Sequence, residues 1–313
     1  MAVRPELLQV EVNTTCNLRC RICPCTASAG TRPARNVTLD EYRRVVERSF
    51  EPPYVVIFSG FSETLLHPQL HRLVEFEQRR GCTVQVATNG TLLDDRRSGR
   101  LLDAGVDQFV VSLDSARPAV YEALRTGASL ETVLRNVRRL RDTIARRSSA
   151  TKLVVNSVVL RSTAPHLGEL LEFLHQHGIA DLALIKVMKL AALRNRFLQT
   201  EFLTWDEYDA LPLDRLARRA RALGLRMMRS DRRVLATRGC HCPTGAFYLS
   251  AELDLSVCPM LSFLPRWVFG NLGRESIDAI CGGDRFATFR DRFAAGRRPA
   301  ACNDCACLFT TTG

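Results

Sequence analysis

The stretch "LLQVEVNTTCNLRCRIC", residues 7–23, joins a short strand pattern to three closely spaced cysteines. Apolar and polar side chains nearly alternate over residues 7–12, which is typical of a β-strand with one buried face. Cys16, Cys20 and Cys23 follow at once, separated by three and then by two residues. The three thiols are therefore expected just past the C-terminal end of a strand.

Further apolar, β-rich runs follow along the chain, and stretches of helical period separate them. We predict strands at residues 7–12, 54–59, 83–88, 108–113, 152–160 and 182–188. Strands that alternate with helices are typical of a parallel sheet, and six such units make three-quarters of a TIM barrel. The sequence therefore predicts an α/β fold with a partial (β/α)6 TIM barrel, whose chemistry lies on the loops that follow the strands.

The pattern changes after about residue 195, where a basic helix at roughly 205–224 leads to a cysteine-rich tail. We predict a partial barrel at 1–195, a helical linker at 196–235 and a small C-terminal domain at 236–313. The core of that last domain is too thin to be stable without a disulfide or metal staple.

The 313 residues are 46% apolar and 25% charged, and the formal net charge is +11. The arginines are spread along helices and not interleaved with aromatic residues, so we expect solvated helix faces and no nucleic-acid partner. No apolar run is long enough to span a membrane, and the N-terminus lacks a signal-peptide pattern. We therefore expect a cytoplasmic protein, in which twelve cysteines indicate metal rather than disulfides.

Three thiolates on a [4Fe–4S] cluster leave one iron open to a further ligand. Two alternatives stay open at this point. Cys25 could close the site as a fourth ligand, although only Pro24 separates it from Cys23. A zinc site is the other alternative, although zinc is more usually bound by matched CxxC pairs.

The segment "CNLRCRIC", residues 16–23, resembles the CxxxCxxC motif of the radical S-adenosylmethionine (SAM) superfamily. In that family SAM chelates the fourth iron through its amino and carboxylate groups. The resemblance implies that the reduced cluster cleaves SAM to a 5′-deoxyadenosyl radical, which abstracts hydrogen from a substrate.

The loop "SGFSETLLHP", residues 59–68, resembles the family's glycine-rich loop that binds the SAM amino group. Its glutamate is present as Glu63. Phe61 and Ser62 stand where the family has a double glycine, and Thr64 stands where it has a proline. The resemblance therefore assigns Glu63 to SAM binding, with a changed loop around it.

Three later segments resemble the family in the same order along the chain. "ATNGTLL" contains Asn89, "VSLDS" contains Ser112 and Asp114, and "VYEALRTGASLETVLRNVRRL" contains Arg125. The resemblance implies that Ser112 binds the SAM ribose and that Arg125 reaches its carboxylate, a charge-assisted contact that suits arginine. Ile22, between the second and third cysteines, completes the residues expected to bind SAM.

The tail, with "CHCPTGAFYLSAELDLSVCP" and "RPAACNDCACLF", resembles the Twitch domain, the shortened form of the SPASM domain. The resemblance implies an auxiliary [4Fe–4S] cluster held by Cys242, Cys258, Cys302 and Cys305, with a structural zinc as the alternative. Leu253 stands in the hairpin where the family usually has glycine. We therefore expect two [4Fe–4S] clusters in total, together with SAM.

The remaining cysteines are Cys25, Cys82, Cys240, Cys281 and Cys307. Cys82 and Cys281 are expected to be small buried apolar residues. Cys240 should lie near the barrel mouth, either as a spare or alternative ligand or as a hydrogen donor to substrate. Cys307, beside Cys305, is the second candidate donor.

The overall resemblance is to aminoglycoside epimerases and aminocyclitol dehydrogenases of antibiotic biosynthesis. We expect hydrogen abstraction from a small, hydroxyl-rich molecule, with an epimerase favoured by the spare thiols and a dehydrogenase as the alternative. An external electron donor of the flavodoxin or ferredoxin kind is the expected partner.

Two other hypotheses stay open. Peptide maturases usually carry an N-terminal recognition domain and a full SPASM tail, for which we expect no room in this chain. A non-catalytic electron-transfer or zinc module is the third. The charge of +11 would repel a polycationic aminoglycoside at long range, so such a substrate would need local acids.

Overall fold

The computed structural model describes residues 3–27, 32–188, 196–232, 240, 242, 245–302, 304–305 and 309–311. Their strands form one eleven-stranded sheet in the order β10-β9-β8-β1-β2-β3-β4-β5-β6-β7-β11. The strands are β1 (Leu7–Val10), β2 (Val55–Phe58), β3 (Thr83–Thr88), β4 (Gln108–Ser112), β5 (Lys152–Val159), β6 (Asp181–Lys186), β7 (Arg226–Ser230), β8 (Ala246–Leu249), β9 (Asp254–Ser256), β10 (Gly270–Asn271) and β11 (Phe309–Thr311).

Strands β1 to β7 are parallel neighbours in chain order, and β8 pairs parallel with the free side of β1. The outer strands β9, β10 and β11 are antiparallel. The predicted α/β class with a parallel sheet and a small C-terminal domain is confirmed. All C-terminal ends of β1 to β7 point to the same edge, which is where the loops with the predicted site residues lie.

The helices of the described residues are α1 (Pro24–Ala27), α2 (Leu39–Ser49), α3 (Leu70–Arg79), α4 (Asp95–Asp103), α5 (Pro118–Leu124), α6 (Leu130–Arg146), α7 (Leu167–Gln176), α8 (Arg196–Glu201), α9 (Trp205–Asp209), α10 (Leu213–Ala222), α11 (Pro259–Ser262), α12 (Ile277–Gly282) and α13 (Asp284–Ala294). Short 3₁₀ turns occupy Thr64–Leu66, Ala164–His166, Pro265–Trp267 and Ala300–Cys302. None of these helices is long and apolar enough to cross a membrane.

Local sequence signals explain where the helices begin. Thr38 caps α2, and Glu41 returns a hydrogen bond to the Thr38 backbone, so the two residues form a capping box. Ser129 caps α6 by accepting a hydrogen bond from the Thr132 backbone N–H. The helices then bury one apolar stripe against the sheet.

The core lies between the sheet and its helices. Leu8 of β1 and Phe58 of β2 are fully buried, as are Tyr42 and Leu73 of the covering helices. Burial of each such side chain contributes about 1.5–3 kcal/mol relative to exposure. The strands therefore appear in the sequence as apolar runs because helices cover them.

The six predicted strands are all present, with ends within two residues of the prediction. The predicted helical linker at 196–235 contains α8, α9 and α10, but it also contains β7, which pairs with β6. Strand β7 was missed because "RMMRS" carries two arginines and is short. The division into three domains stays a prediction.

Candidate active site

One cavity of about 220 Å³ opens at the C-terminal ends of β1 to β4, and all three motif cysteines line it. Cys20 is buried, while Cys16 and Cys23 are partly exposed. The cavity also brings together most of the residues predicted to bind SAM, namely Ile22, Glu63, Asn89, Ser112 and Arg125. Four separate segments of the chain therefore meet around the three thiols.

The cysteine loop is attached to the end of α5 by backbone hydrogen bonds. The N–H of Arg19 donates to the carbonyl of Thr126 and that of Arg21 to the carbonyl of Leu124, each at 2.9 Å. The thiols thus have a fixed position relative to Arg125, which directly follows α5.

Glu63 is 1% exposed, and both of its carboxylate oxygens accept hydrogen bonds from the protein. Oε1 accepts from the Thr88 hydroxyl at 2.5 Å and the Leu65 N–H at 3.1 Å, and Oε2 accepts from the Asn89 N–H at 2.7 Å. Burial raises the pKa of Glu63, although these hydrogen bonds oppose the shift. The residue therefore ties the loop after β2 to the turn after β3 at the cavity wall.

Asn89 connects this turn to the cysteine motif. Its Nδ2 donates to Asn17 Oδ1 at 3.0 Å, and Asn17 Nδ2 donates to Thr91 Oγ1 at 2.8 Å. Gly90, between Asn89 and Thr91 in the chain, has a φ of +80°, a backbone conformation that favours glycine. Asn17 was not predicted from the sequence. The feature that could have indicated it is the presence of a polar side chain inside the cysteine motif.

Arg125 and Asp114 form a buried ion pair at the back of the cavity. Arg125 Nε donates to Asp114 Oδ2 at 2.6 Å and Nη2 donates to Oδ1 at 3.1 Å, while Oδ1 also accepts from the Val158 N–H. Asp114 is 1% exposed and does not itself line the cavity. Burial raises the pKa of Cys20, and the Arg125 charge opposes that rise.

The changed loop after β2 contacts the C-terminal part of the chain. The Phe61 ring lies 4.0 Å from the Phe263 ring and 6.2 Å from the Tyr248 ring, measured between centroids. The Phe61 N–H donates to Glu11 Oε1 at 2.9 Å. A Cβ on Gly60 would lie 2.4 Å from Glu11 Cγ, so a side chain there would clash. Glycine is thus required at position 60, whereas Phe61, where the family has glycine, makes an aromatic contact.

Glu11 and Glu252 are joined by Arg32. Arg32 Nη2 lies 2.6 Å from Glu11 Oε2 and 2.7 Å from Glu252 Oε2. The Glu11 side chain is fully buried, whereas the other two side chains are about one-third exposed. This bridge links the end of β1 to the β8–β9 hairpin. Glu11 was missed in the sequence, where its signal was a charge inside a strand pattern.

A second, smaller cavity of about 30 Å³ contains the C-terminal thiols. Its walls include Cys240, Cys242, Cys258, Cys302 and Cys305, among apolar side chains. The four predicted ligands are thus brought together, and Cys240 joins them. The Cys242 N–H donates to Cys240 Sγ at 3.4 Å. Within the described part of the chain, no three Cys, His, Asp or Glu side chains converge on the position of a single metal ion.

The other spare cysteines have separate positions. Cys82 is buried and donates to Glu77 Oε2 at 3.2 Å, and burial raises its pKa to about 12. Cys281 is half-buried in α12, and burial raises its pKa to about 11. Neither lines the two thiol cavities. Cys307 and the side chain of Cys25 lie outside the described residues.

Lys186, the last residue of β6, is a buried charge that sequence analysis missed. It is 1% exposed, and its Nζ lies 2.7 Å from Asp304 Oδ1. Burial lowers the pKa of Lys186, while Asp304 opposes that shift. Its signal was a lysine within the apolar run "LALIKVM".

Two family models match this sequence. The model described as Radical SAM superfamily matches residues 10–174, more than half of the chain. A second model, SPASM, described as an iron-sulfur cluster-binding domain, matches residues 240–306. The first range contains the three motif cysteines, and the second contains the five cysteines of the smaller cavity.

An AdoMet-dependent heme synthase from Methanosarcina barkeri (strain Fusaro / DSM 804) is 32% identical over 127 residues. The match covers 40% of this chain and 36% of that protein, so the chain spans about a third of this relative.

Two solved structures are similar over most of the chain. Streptococcus suis SuiB bound to precursor peptide SuiA has a TM-score of 0.72 and 13% identity, over 92% of this chain and 67% of SuiB. BtrN in complex with AdoMet and 2-DOIA has a TM-score of 0.50 and 18% identity, over 93% of this chain and 88% of BtrN. At these identities the similarity shows a shared fold.

Proposed function

This chain belongs to the radical SAM superfamily and carries a SPASM-type iron-sulfur domain; from that premise we propose that it binds SAM at Cys16, Cys20 and Cys23 and cleaves it to start a radical reaction. The observation that carries the proposal is the single cavity lined by the three thiols and by residues from four segments.

The residues present fit an open cluster. Three thiols line the cavity, and its other described walls carry no fourth cysteine or histidine. A reduced [4Fe–4S] cluster bound by three thiolates supplies one electron and an open iron for SAM.

The protein's own side chains bind and orient SAM. Arg125 presents its guanidinium to the cavity in a direction fixed by Asp114, which suits a carboxylate of SAM. Ser112, at the end of β4, offers a hydroxyl for the ribose. Glu63 holds Thr88 and Asn89 in place, so the wall that receives the SAM amino group is rigid. The family resemblance implies these roles, and the positions of the side chains around the cavity support them.

For the C-terminal cavity we propose an auxiliary [4Fe–4S] cluster on Cys242, Cys258, Cys302 and Cys305, which makes two clusters in all. A structural zinc is the alternative, and the match of residues 240–306 to an iron-sulfur cluster-binding domain supports the cluster.

We propose a small, hydroxyl-rich substrate, of the aminoglycoside type, epimerised at a ring or carbinol carbon. One substrate hydrogen passes to the deoxyadenosyl group, and the Cys240 S–H returns one hydrogen from the opposite face. The resulting thiyl takes one electron and one solvent proton to become a thiol again. An external flavodoxin-like or ferredoxin-like donor supplies this electron and the one that cleaves SAM. The chain's +11 charge complements the acidic surfaces typical of such redox proteins.

A dehydrogenase is the second candidate, and the position of Cys240 favours it. Cys240 lies among the auxiliary thiols, a position that suits a cluster ligand rather than a hydrogen donor to substrate. In that case the substrate radical loses a proton and passes one electron to the auxiliary site. A peptide substrate is a third candidate, because SuiB was solved with a precursor peptide.

The test is anaerobic reconstitution with iron and sulfide, followed by incubation with SAM and a reductant. We expect 5′-deoxyadenosine and methionine in equal amounts. Absence of both products from iron-loaded, reduced protein would contradict the proposed function.

A further inference from the structure

The end of β6 is joined to the C-terminal cysteine loop by one buried ion pair. Lys186 Nζ lies 2.7 Å from Asp304 Oδ1, and the Lys186 side chain is fully buried. Asp304 lies between Cys302 and Cys305 in the sequence "CNDC". The lysine therefore contacts the short loop that carries two of the auxiliary thiols.

The ammonium group is held from the barrel side as well. Nζ lies 4.4 Å from the centre of the Phe202 ring and 4.9 Å from that of Trp205, which are cation–π distances. It also donates to the carbonyl of Val187 at 3.3 Å. The Lys186 N–H donates to Ser230 Oγ of β7 at 3.1 Å, so its backbone is fixed too.

A buried charge is costly unless it is paired. Here the charge comes from the rigid sheet and its carboxylate partner from a loop, so the loop has one favourable position relative to β6. The Cys305 N–H donates to the Cys302 carbonyl at 3.2 Å, so the two thiols move together with Asp304.

We propose that Lys186 is a positioning residue for the auxiliary cluster: through Asp304 it fixes the Cys302–Cys305 loop against the end of β6. The position of the auxiliary cluster relative to the SAM cavity then depends on this ion pair. This inference rests on the proposed cluster at the C-terminal cavity.

The experiment uses the full chain with Cys16, Cys20 and Cys23 replaced by alanine, so that iron reports the auxiliary site alone. This parent variant should bind about four irons per chain after reconstitution. Adding Lys186→Met should remove most of that iron, because the ion pair that joins Asp304 to β6 is then broken. Any residual cluster should give a shifted electron paramagnetic resonance spectrum after reduction. Lys152→Met is the matched control. Lys152 is an exposed lysine at the N-terminal end of β5, whereas Lys186 is at the C-terminal end of β6, so replacement of Lys152 should change neither readout.

Two further variants separate positioning from general loss of fold. Asp304→Asn leaves the barrel side intact and should also lower iron content and shift the spectrum. Lys186→Met with Asp304→Asn removes both charges and should recover part of the iron that Lys186→Met loses. If Lys186→Met and Asp304→Asn both keep the parent's iron and spectrum, the positioning role is wrong. If the parent itself binds no iron, the auxiliary cluster of the proposed function is what fails.

Discussion

Asp114 accepts two hydrogen bonds from Arg125, at 2.6 and 3.1 Å, and both residues are buried beside the cysteine cavity. The family resemblance placed both residues among those expected to bind SAM. The structure shows that Asp114 also orients the Arg125 guanidinium.

Arg125→Met should weaken SAM binding at least tenfold and destabilise the protein by about 3–5 kcal/mol, because it leaves a buried carboxylate unpaired. Equilibrium binding and chemical unfolding measure the two effects. Arg117→Met is the matched control, since Arg117 forms an exposed bidentate pair with Glu169 at the surface. It should change neither quantity appreciably. Unaltered SAM affinity in Arg125→Met would argue against the assigned role.

Replacing Cys16, Cys20 and Cys23 together by alanine should lower the iron content from about eight to about four per chain. It should also abolish 5′-deoxyadenosine formation, because the thiols that hold the open cluster are gone. Iron assay and chromatography measure both. Cys82→Ala, a buried cysteine away from both cavities, should keep iron and activity. Continued SAM cleavage by the triple variant would show that the site is elsewhere.

Leu253 has a φ of +69° at the position where the related domains usually have glycine. Its side chain is nevertheless buried, so Leu253→Ala should cost about 2–5 kcal/mol through lost packing. Leu253→Gly should be about 1 kcal/mol more stable than Leu253→Ala, because glycine adopts this conformation without strain.

The control for Leu253 is Leu140, buried in α6. There the order should reverse, with glycine about 1 kcal/mol less stable than alanine. Chemical unfolding of the four variants measures both differences. Equal stability of the two variants at residue 253 would mean that the backbone relaxes around alanine.

Burial alone would raise the pKa of Glu252, but the hydrogen bonds and charge of Arg32 lower it below its usual range. The folded form therefore favours the ionised carboxylate. The stabilisation of the folded protein by the ionised Glu252 carboxylate should be complete above about pH 4.5. It should be lost as the pH falls through the folded pKa of Glu252. Because the side chain is partly exposed, Glu252→Gln should cost only about 0.5 kcal/mol at pH 7.

That difference should shrink as the pH falls through the folded pKa of Glu252 and vanish below it, as measured by unfolding of both proteins across the pH range. In an Arg32→Gln background the same substitution should have no pH-dependent effect. A difference that persists unchanged at low pH would mean that Glu252 acts through packing.

Cys240→Ala separates the epimerase from the dehydrogenase. In an epimerase the variant should still form 5′-deoxyadenosine yet give little inverted product, and the wild-type product made in deuterated water should carry one solvent deuterium. Cys281→Ala is the control, because Cys281 lies away from both cavities. Normal turnover by Cys240→Ala, with a product two hydrogens lighter than the substrate, would identify a dehydrogenase. Mass spectrometry distinguishes these results.

The six parallel strands could be predicted because helices cover them, so each is an apolar run of the right length. Glu63, Asn89 and Ser112 could be predicted from motifs because they lie at or just after strand ends, whereas Arg125 was predicted from a motif around helix α5. Their partners could not, because Asp114 with Arg125 and Asn17 with Asn89 are pairings set by tertiary geometry.

Lys186 was missed because apolar runs were used to predict the strands. Its neighbours are apolar, so the run was interpreted as a strand and the lysine was not singled out. Only the position of Asp304, far along the chain, explains why a charge is buried there. Leu253 shows the converse, since a departure noted in the sequence coincides with the unusual backbone.

Strand β1 is paired on both sides, with β2 on one side and β8 on the other. Leu7 lies opposite Val55 in the first pair and opposite Ala246 in the second, so one partner is near in the sequence and the other is far. At about 5–20 residues per second of synthesis, one side waits on the order of ten seconds or more for its partner. Throughout that interval the nascent chain presents an unpaired row of backbone N–H and C=O groups, which is a template for wrong pairing. Correct folding of this protein therefore depends on the β8-facing side of β1 remaining unpaired until residues 246–249 have been translated.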